Sequence, residues 1–156
     1  MAKKQLCFED VQDGMEIPTL TKIATTRMLV QWAGASGDFN PLHYEDDFAK
    51  ANMVNAPIVH GALKRAWLGH LVTDWIGEEG VLKKLSCQYR GMDWPRKMKT
   101  FDDPQDGETW HCKGKVIKKY TQGDENLVDC QIWVENGKGE ATTPGAATVA
   151  LPSKKK

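Results

Sequence analysis

The chain has 156 residues, and its 21 Lys and Arg are balanced by 21 Asp and Glu. That length holds one domain with a real core and leaves too little for two comfortable ones. Zero net charge removes the electrostatic case for a nucleic-acid partner, and no run approaches the roughly 18 apolar residues of a membrane span.

The opening MAKKQLCFEDV carries positive charge but lacks the apolar stretch of a secretory signal, so a cytoplasmic location is expected. Cys7, Cys87, Cys112 and Cys130 are scattered, with no C-x-x-C pair and no His at ligand spacing. They read as reduced thiols packed as small hydrophobes, and neither a metal nor a separate cofactor is expected.

Residues 1–15 form a lead-in, with Phe8 and Val11 docking on the domain. Glu16 to Thr25 carries Ile17, Thr19, Thr21 and Ile23, the β-branched content of a first strand. From Arg27 to Ala35, Met28, Leu29, Trp32 and Ala33 recur at helical spacing, until Gly34 and Gly37 stop the helix. Asp46 or Asp47 caps a short second helix, Phe48 to Asn52, which Pro57 separates from the next element.

Gly61 to Ile76 is apolar nearly all the way round, the pattern of a helix buried on most sides and wrapped by a sheet. Lys64, Arg65, His70 and Asp74 are its exceptions. Lys64 and Arg65 read as snorkelling from an exposed first turn, with contact to an anionic part of a ligand as the alternative. The period then changes to two. Leu85, Cys87 and Tyr89, then Trp110, Cys112, Gly114 and Val116, then Val128, Cys130, Ile132 and Val134 form the dry side of three strands. A last strand, Gly145 to Leu151, comes after the turn Asn136 to Gly139, and residues 152–156 form a basic tail. Strand, buried helix, then four antiparallel strands is an α+β order. Gly91 to Gly107 is a long connection, read as a surface loop or a substrate-facing flap.

The chemistry concentrates in SGDFNPLH, Ser36 to His43. Asp38 and His43 on a helix would point roughly 140° apart, at about 100° per residue. Pro41 disfavours helical geometry at Asn40 and Gly37 is a permissive hinge, so the segment is a turn able to fold the carboxylate toward the imidazole. An ordinary loop with Asp38 or Asn40 bonding its own backbone is the competing account of the turn alone. A second segment, APIVHG, opens the long apolar helix with His60-Gly61.

The two segments, in this order, resemble the MaoC-like dehydratase family and its (R)-specific enoyl-CoA hydratase branch. There a G-D-x-N-P-x-H turn precedes a P-I-x-H-G at the start of a central helix. Gly37, Asp38, Asn40, Pro41, His43, Pro57, Ile58, His60 and Gly61 carry the match. The resemblance covers roughly residues 16–151 and implies a single hotdog domain, an antiparallel sheet wrapped around one long helix. It implies a hydratase or dehydratase acting on 2-enoyl-CoA and (R)-3-hydroxyacyl-CoA thioesters, CoA entering as part of the substrate. It also implies a dimer, either of identical chains or with a partner chain.

Carried over, Asp38 and His43 become the acid-base pair and Gly61 the backbone donor to the thioester oxygen. Asn40, Ser36 and His60 are carried over as substrate-binding positions. The residues themselves also admit Asn40 as shaping the turn or orienting the dyad, Ser36 as a structural helix-end serine, and His60 as orienting the loop or packing. The helix start suits that duty because its first N–H groups lack intrahelical partners and carry the positive end of the helix dipole. The alternatives are an acyl-CoA thioesterase of the same fold and the dyad-bearing subunit of a heteromeric acyl-CoA complex. Lys64 and Arg65 depart from the apolar or hydroxyl residues expected shortly after the H-G. His70 and His111 read as structural.

Overall fold

The structure, a computed structural model, describes residues 5–102 and 109–154. Parts of the expected lead-in, of the 91–107 connection and of the basic tail lie outside these residues. A 3₁₀ turn, Phe8–Asp10, leads into strand β1, Glu16–Ile23. Helices α1 (Thr26–Ser36), α2 (Asp46–Ala51) and α3 (Gly61–Ile76) come next. Strands β2 (Val81–Cys87), β3 (Thr109–Gln122), β4 (Glu125–Glu135) and β5 (Ala141–Ala150) complete the chain. All five strands join one antiparallel sheet in the order β1-β3-β4-β5-β2.

The period-2 reading of β3 and β4 holds. Trp110, Cys112 and Val116 on β3, with Val128, Cys130, Ile132 and Val134 on β4, are buried against α3. From α3 come Leu63, Trp67, Leu68, Leu71, Val72 and Ile76, and Trp67 meets Trp110 with ring centroids 5.9 Å apart. Each large apolar side chain buried this way contributes about 1.5–3 kcal/mol, which is why the sheet closes on this helix. The result is the hotdog arrangement. Coverage of α3 is less complete than its composition implies, because Arg65, Ala66, His70, Thr73 and Asp74 form an exposed stripe.

Two expectations are corrected. Lys64 does not snorkel. It is 2% exposed, and its ammonium lies 2.7 Å from Asp93 Oδ2, itself buried, while also donating to the Gly91 carbonyl at 2.9 Å. The connection after β2 is also not surface loop throughout. Arg90 and Gly91 donate to Thr142 O beyond the end of β2, Val59 donates to Asp93 O, and Arg96 exchanges backbone bonds with Ala24 and Thr26. Asp93 and Pro95 are buried. The segment therefore straps the first turn of α3, a role fixed by partners far off in sequence.

Candidate active site

Helix α1 delivers the turn. Thr25 Oγ1 caps its start by accepting from Met28 N–H, and Leu29 and Ala33 anchor it in the interior. Gly37 ends it at φ +77°, its N–H donating to Ala33 O. That backbone state suits glycine, and it turns the chain back toward the domain. Ser36 Oγ donates to Trp32 O at 2.7 Å and accepts from Asp38 N–H at 3.2 Å.

Two side-chain turns come next in series. Asp38 Oδ1 accepts from Asn40 N–H at 3.3 Å, and Asn40 Oδ1 accepts from Leu42 N–H at 3.0 Å. The second bond caps a 3₁₀ turn, Pro41–His43. Short polar side chains bonding the backbone two residues on make such a loop stiff without regular structure. The local-turn account and the chemical account thus both describe the same residues, since these bonds leave Asp38 Oδ2 uncommitted.

His43 is 9% exposed, and its Nδ1 donates to the carbonyl of Ile58 at 2.8 Å. A carbonyl only accepts, so Nδ1 carries the proton and Nε2 is the nitrogen left for proton transfer. Ile58 N–H donates back to Leu42 O, tying the 37–43 turn to the stretch before α3. One ligand-type atom each from Asp38, His43 and His60 lie within 4.8 Å of one another. The fold thus brings the expected carboxylate and imidazole together.

His60 lies behind the dyad. It is 0% exposed and stacks on His43, with ring centroids 3.6 Å apart and planes 19° from parallel. Its Nε2 donates to the Asp38 backbone carbonyl at 3.4 Å. Burial above all, and then the charge of His43, hold its imidazole below the ordinary histidine value. The three side chains are the one candidate metal set among the described residues. In-plane lone pairs of two nearly parallel, stacked rings do not converge on one ion, so the arrangement fits proton handling better than coordination.

Gly61 begins α3, with His60 at the N-cap and no side chain capping it. The Tyr89 ring lies against it, and a Cβ built on Gly61 would sit 2.8 Å from Tyr89 Cδ2. Glycine is therefore required by close approach. Between His43, Ile58, Gly61, Lys64, Tyr89 and Met92 opens a cleft of about 250 Å³. A larger hollow of about 360 Å³ on the other side of the sheet, among Lys84, Ser86, Asp129 and Thr148, has none of these groups. His43 and the Gly61 start of α3 border the smaller space.

The wall of that cleft is not legible in the sequence. Lys64, Asp93 and Thr142 form one buried cluster, Asp93 Oδ2 accepting from both of the others at 2.7 Å. Its members are separated by 29 and 49 residues, so no local spacing announces it. Arg65 is exposed and lies near enough to Tyr89 for its charge to oppose the upward push that burial and Cys87 give the phenol.

By sequence, no curated protein matches the chain. The fold is shared with the R-hydratase PhaJ1 of Pseudomonas aeruginosa, at a TM-score of 0.79 and 20% identity over 96% of this chain and 88% of that one. The (R)-hydratase of A. caviae involved in PHA biosynthesis gives 0.76 and 21%, over 92% and 99%. The ChsH1–ChsH2 complex of Mycobacterium tuberculosis gives 0.74 and 18%, over 90% and 98%. The model of the MaoC-like domain matches residues 11–95, which hold the Asp38–His43 turn, the His60-Gly61 helix start and the strap through Asp93, and the chain belongs to the MaoC-like dehydratase family.

Proposed function

We propose that the protein hydrates 2-enoyl-CoA thioesters, or dehydrates the corresponding (R)-3-hydroxyacyl-CoA, by acid-base action of Asp38 and His43. The observation that carries this reading is the convergence of Asp38 and His43 beside the open start of α3. A water between the Asp38 carboxylate and His43 Nε2 gives up a proton as its oxygen bonds the β-carbon. The dyad returns a proton to the α-carbon, so one water is added across the double bond. Negative charge developing on the thioester oxygen meets the Gly61 N–H and the dipole of α3. As a coupled pair, the two side chains share base and acid duties, with Asp38 as principal base and His43 holding the water.

The same groups do not need rearranging for a thioesterase, so the assay reads both outcomes. Loss of enoyl-thioester absorbance is followed with crotonyl-CoA and a longer 2-enoyl-CoA, alongside release of free CoA thiol. Hydration by the wild type, with Asp38→Asn and His43→Ala each slower by about 10²–10⁴-fold, supports the dyad. Thiol release without hydration replaces this reading by thioester cleavage.

We further propose that the protein works as a dimer in the cytoplasm, in the metabolism of fatty acyl groups. Phe39 on the turn and Tyr89 and Met92 on the cleft wall are exposed, an apolar edge that a second chain would cover. Cys7, Cys87, Cys112 and Cys130 are all free thiols, as a reducing compartment favours. The likeness to a two-chain complex supports a heteromer as the second form. Native mass of the purified chain distinguishes them: a homodimer gives twice the chain mass, and a monomer directs the assay to candidate partner chains.

A further inference from the structure

His60 is the residue at which three parts of the site meet. Its backbone immediately precedes Gly61, its ring lies 3.6 Å from that of His43, and its Nε2 donates to the carbonyl of Asp38. His43 has a bond of its own, from Nδ1 to Ile58 O, but a single bond leaves an imidazole free to pivot about it. The stacked face of His60 removes that freedom. Asp38 has its carboxylate bonded to Asn40 N–H, and its carbonyl is the group that His60 holds.

A ring wanted only for bulk at a position 0% exposed would be better apolar. Here Nδ1 is buried with no hydrogen-bond partner, a penalty that an aromatic hydrocarbon avoids. The nitrogen that does find a partner is the one reaching the dyad's own backbone. We propose that His60 is a positioning residue: a wedge behind the dyad that fixes the His43 ring and the Asp38 backbone in register with the start of α3.

This inference rests on the reading of Asp38 and His43 as the reacting pair, so its test has one arm that needs turnover and one that does not. Three variants separate the contributions. His60→Phe keeps the stack and loses the donor, His60→Gln keeps an amide donor and loses the stack, and His60→Ala loses both. The expected result is that all three fold by circular dichroism while kcat on the best enoyl-CoA falls, by about 10–100-fold in the Ala variant and less in Phe and Gln. KM stays within about twofold, because the cleft walls are unchanged. A role in packing alone predicts full kcat for His60→Phe, and that result overturns the proposal.

The second arm is ¹⁵N NMR of the imidazoles. The wild type is expected to show a His43 Nδ1–H protected from exchange by its bond to Ile58, with exchange at least about tenfold faster in His60→Ala as the ring begins to pivot. Unchanged exchange in that variant overturns the proposal whether or not the protein turns over any enoyl-CoA. A wild type inactive on enoyl-CoA, alone and with candidate partner chains, but with His43 released in His60→Ala retires the hydratase reading and leaves the positioning role standing.

Discussion

Replacing Lys64 by Met removes one half of a buried ion pair while keeping length and most of the apolar stem. Lys64 and Asp93 have side chains each 2% exposed and meet at 2.7 Å. The substitution strips the Asp93 carboxylate of its cation, leaving the Thr142 hydroxyl, and strips the Gly91 carbonyl of the ammonium donor. Breaking a buried pair from one side costs about 3–5 kcal/mol, mostly the cost of the charge left behind. For a chain of 156 residues each kcal/mol moves Tm by about 2–4 °C, so the fall should be about 6–20 °C. Lys64→Met/Asp93→Leu removes both charges and should recover much of that loss, making the double variant more stable than Lys64→Met alone. Thermal unfolding followed by circular dichroism, with urea titrations for the free energies, closes the cycle. Because the pair straps the cleft wall to α3, hydrogen exchange across residues 89–93 should rise in the single variant. A Tm change under about 2 °C, with strictly additive single and double variants, would refute the coupling.

Three further outcomes are expected from the same structure. Gly61→Ala puts a methyl within 3.0 Å of the Tyr89 ring, so activity should fall at least about tenfold; Gly61→Ala/Tyr89→Ala should regain part of it in the same absorbance assay. His60 is held below the usual imidazole value by burial first and by His43 second. As pH drops through about 6.5, the unfolded chain gains a proton that the folded His60 resists. Stability should therefore be full above that pH and decline below it until the folded imidazole titrates, and His60→Phe should flatten the curve of Tm against pH. Burial pushes the Cys112 and Cys130 thiols up to about 12, whereas Cys7 and Cys87 are partly exposed. An aromatic disulfide reagent at pH 8 should titrate at most those two in the native protein and all four in denaturant.

The elements were legible because their signals are local. Alternation in β3 and β4 puts every second side chain on one face, and the apolar density of 61–76 requires a covering sheet whatever the topology. The Asp38–His43 turn was legible for a similar reason: Gly37, Asn40 and Pro41 act on the backbone within a residue or two of themselves. Gly61 was identified with the helix start, and its place beside the dyad came from the resemblance of the two segments to a known family.

What the tertiary structure alone decided are the contacts between positions far apart along the chain. A lysine in the first turn of an apolar helix snorkels unless a carboxylate is delivered to it in the interior, and Asp93 arrives only because the 89–96 segment folds back over α3. His60 and His43 lie 17 positions apart in numbering, and nothing in either motif says that their rings stack. Tyr89 on Gly61 is the same kind of fact, set by where β2 ends against β5. Local backbone preference determined the turn and the helix that present the reacting groups; close packing between distant segments determined how those groups are held.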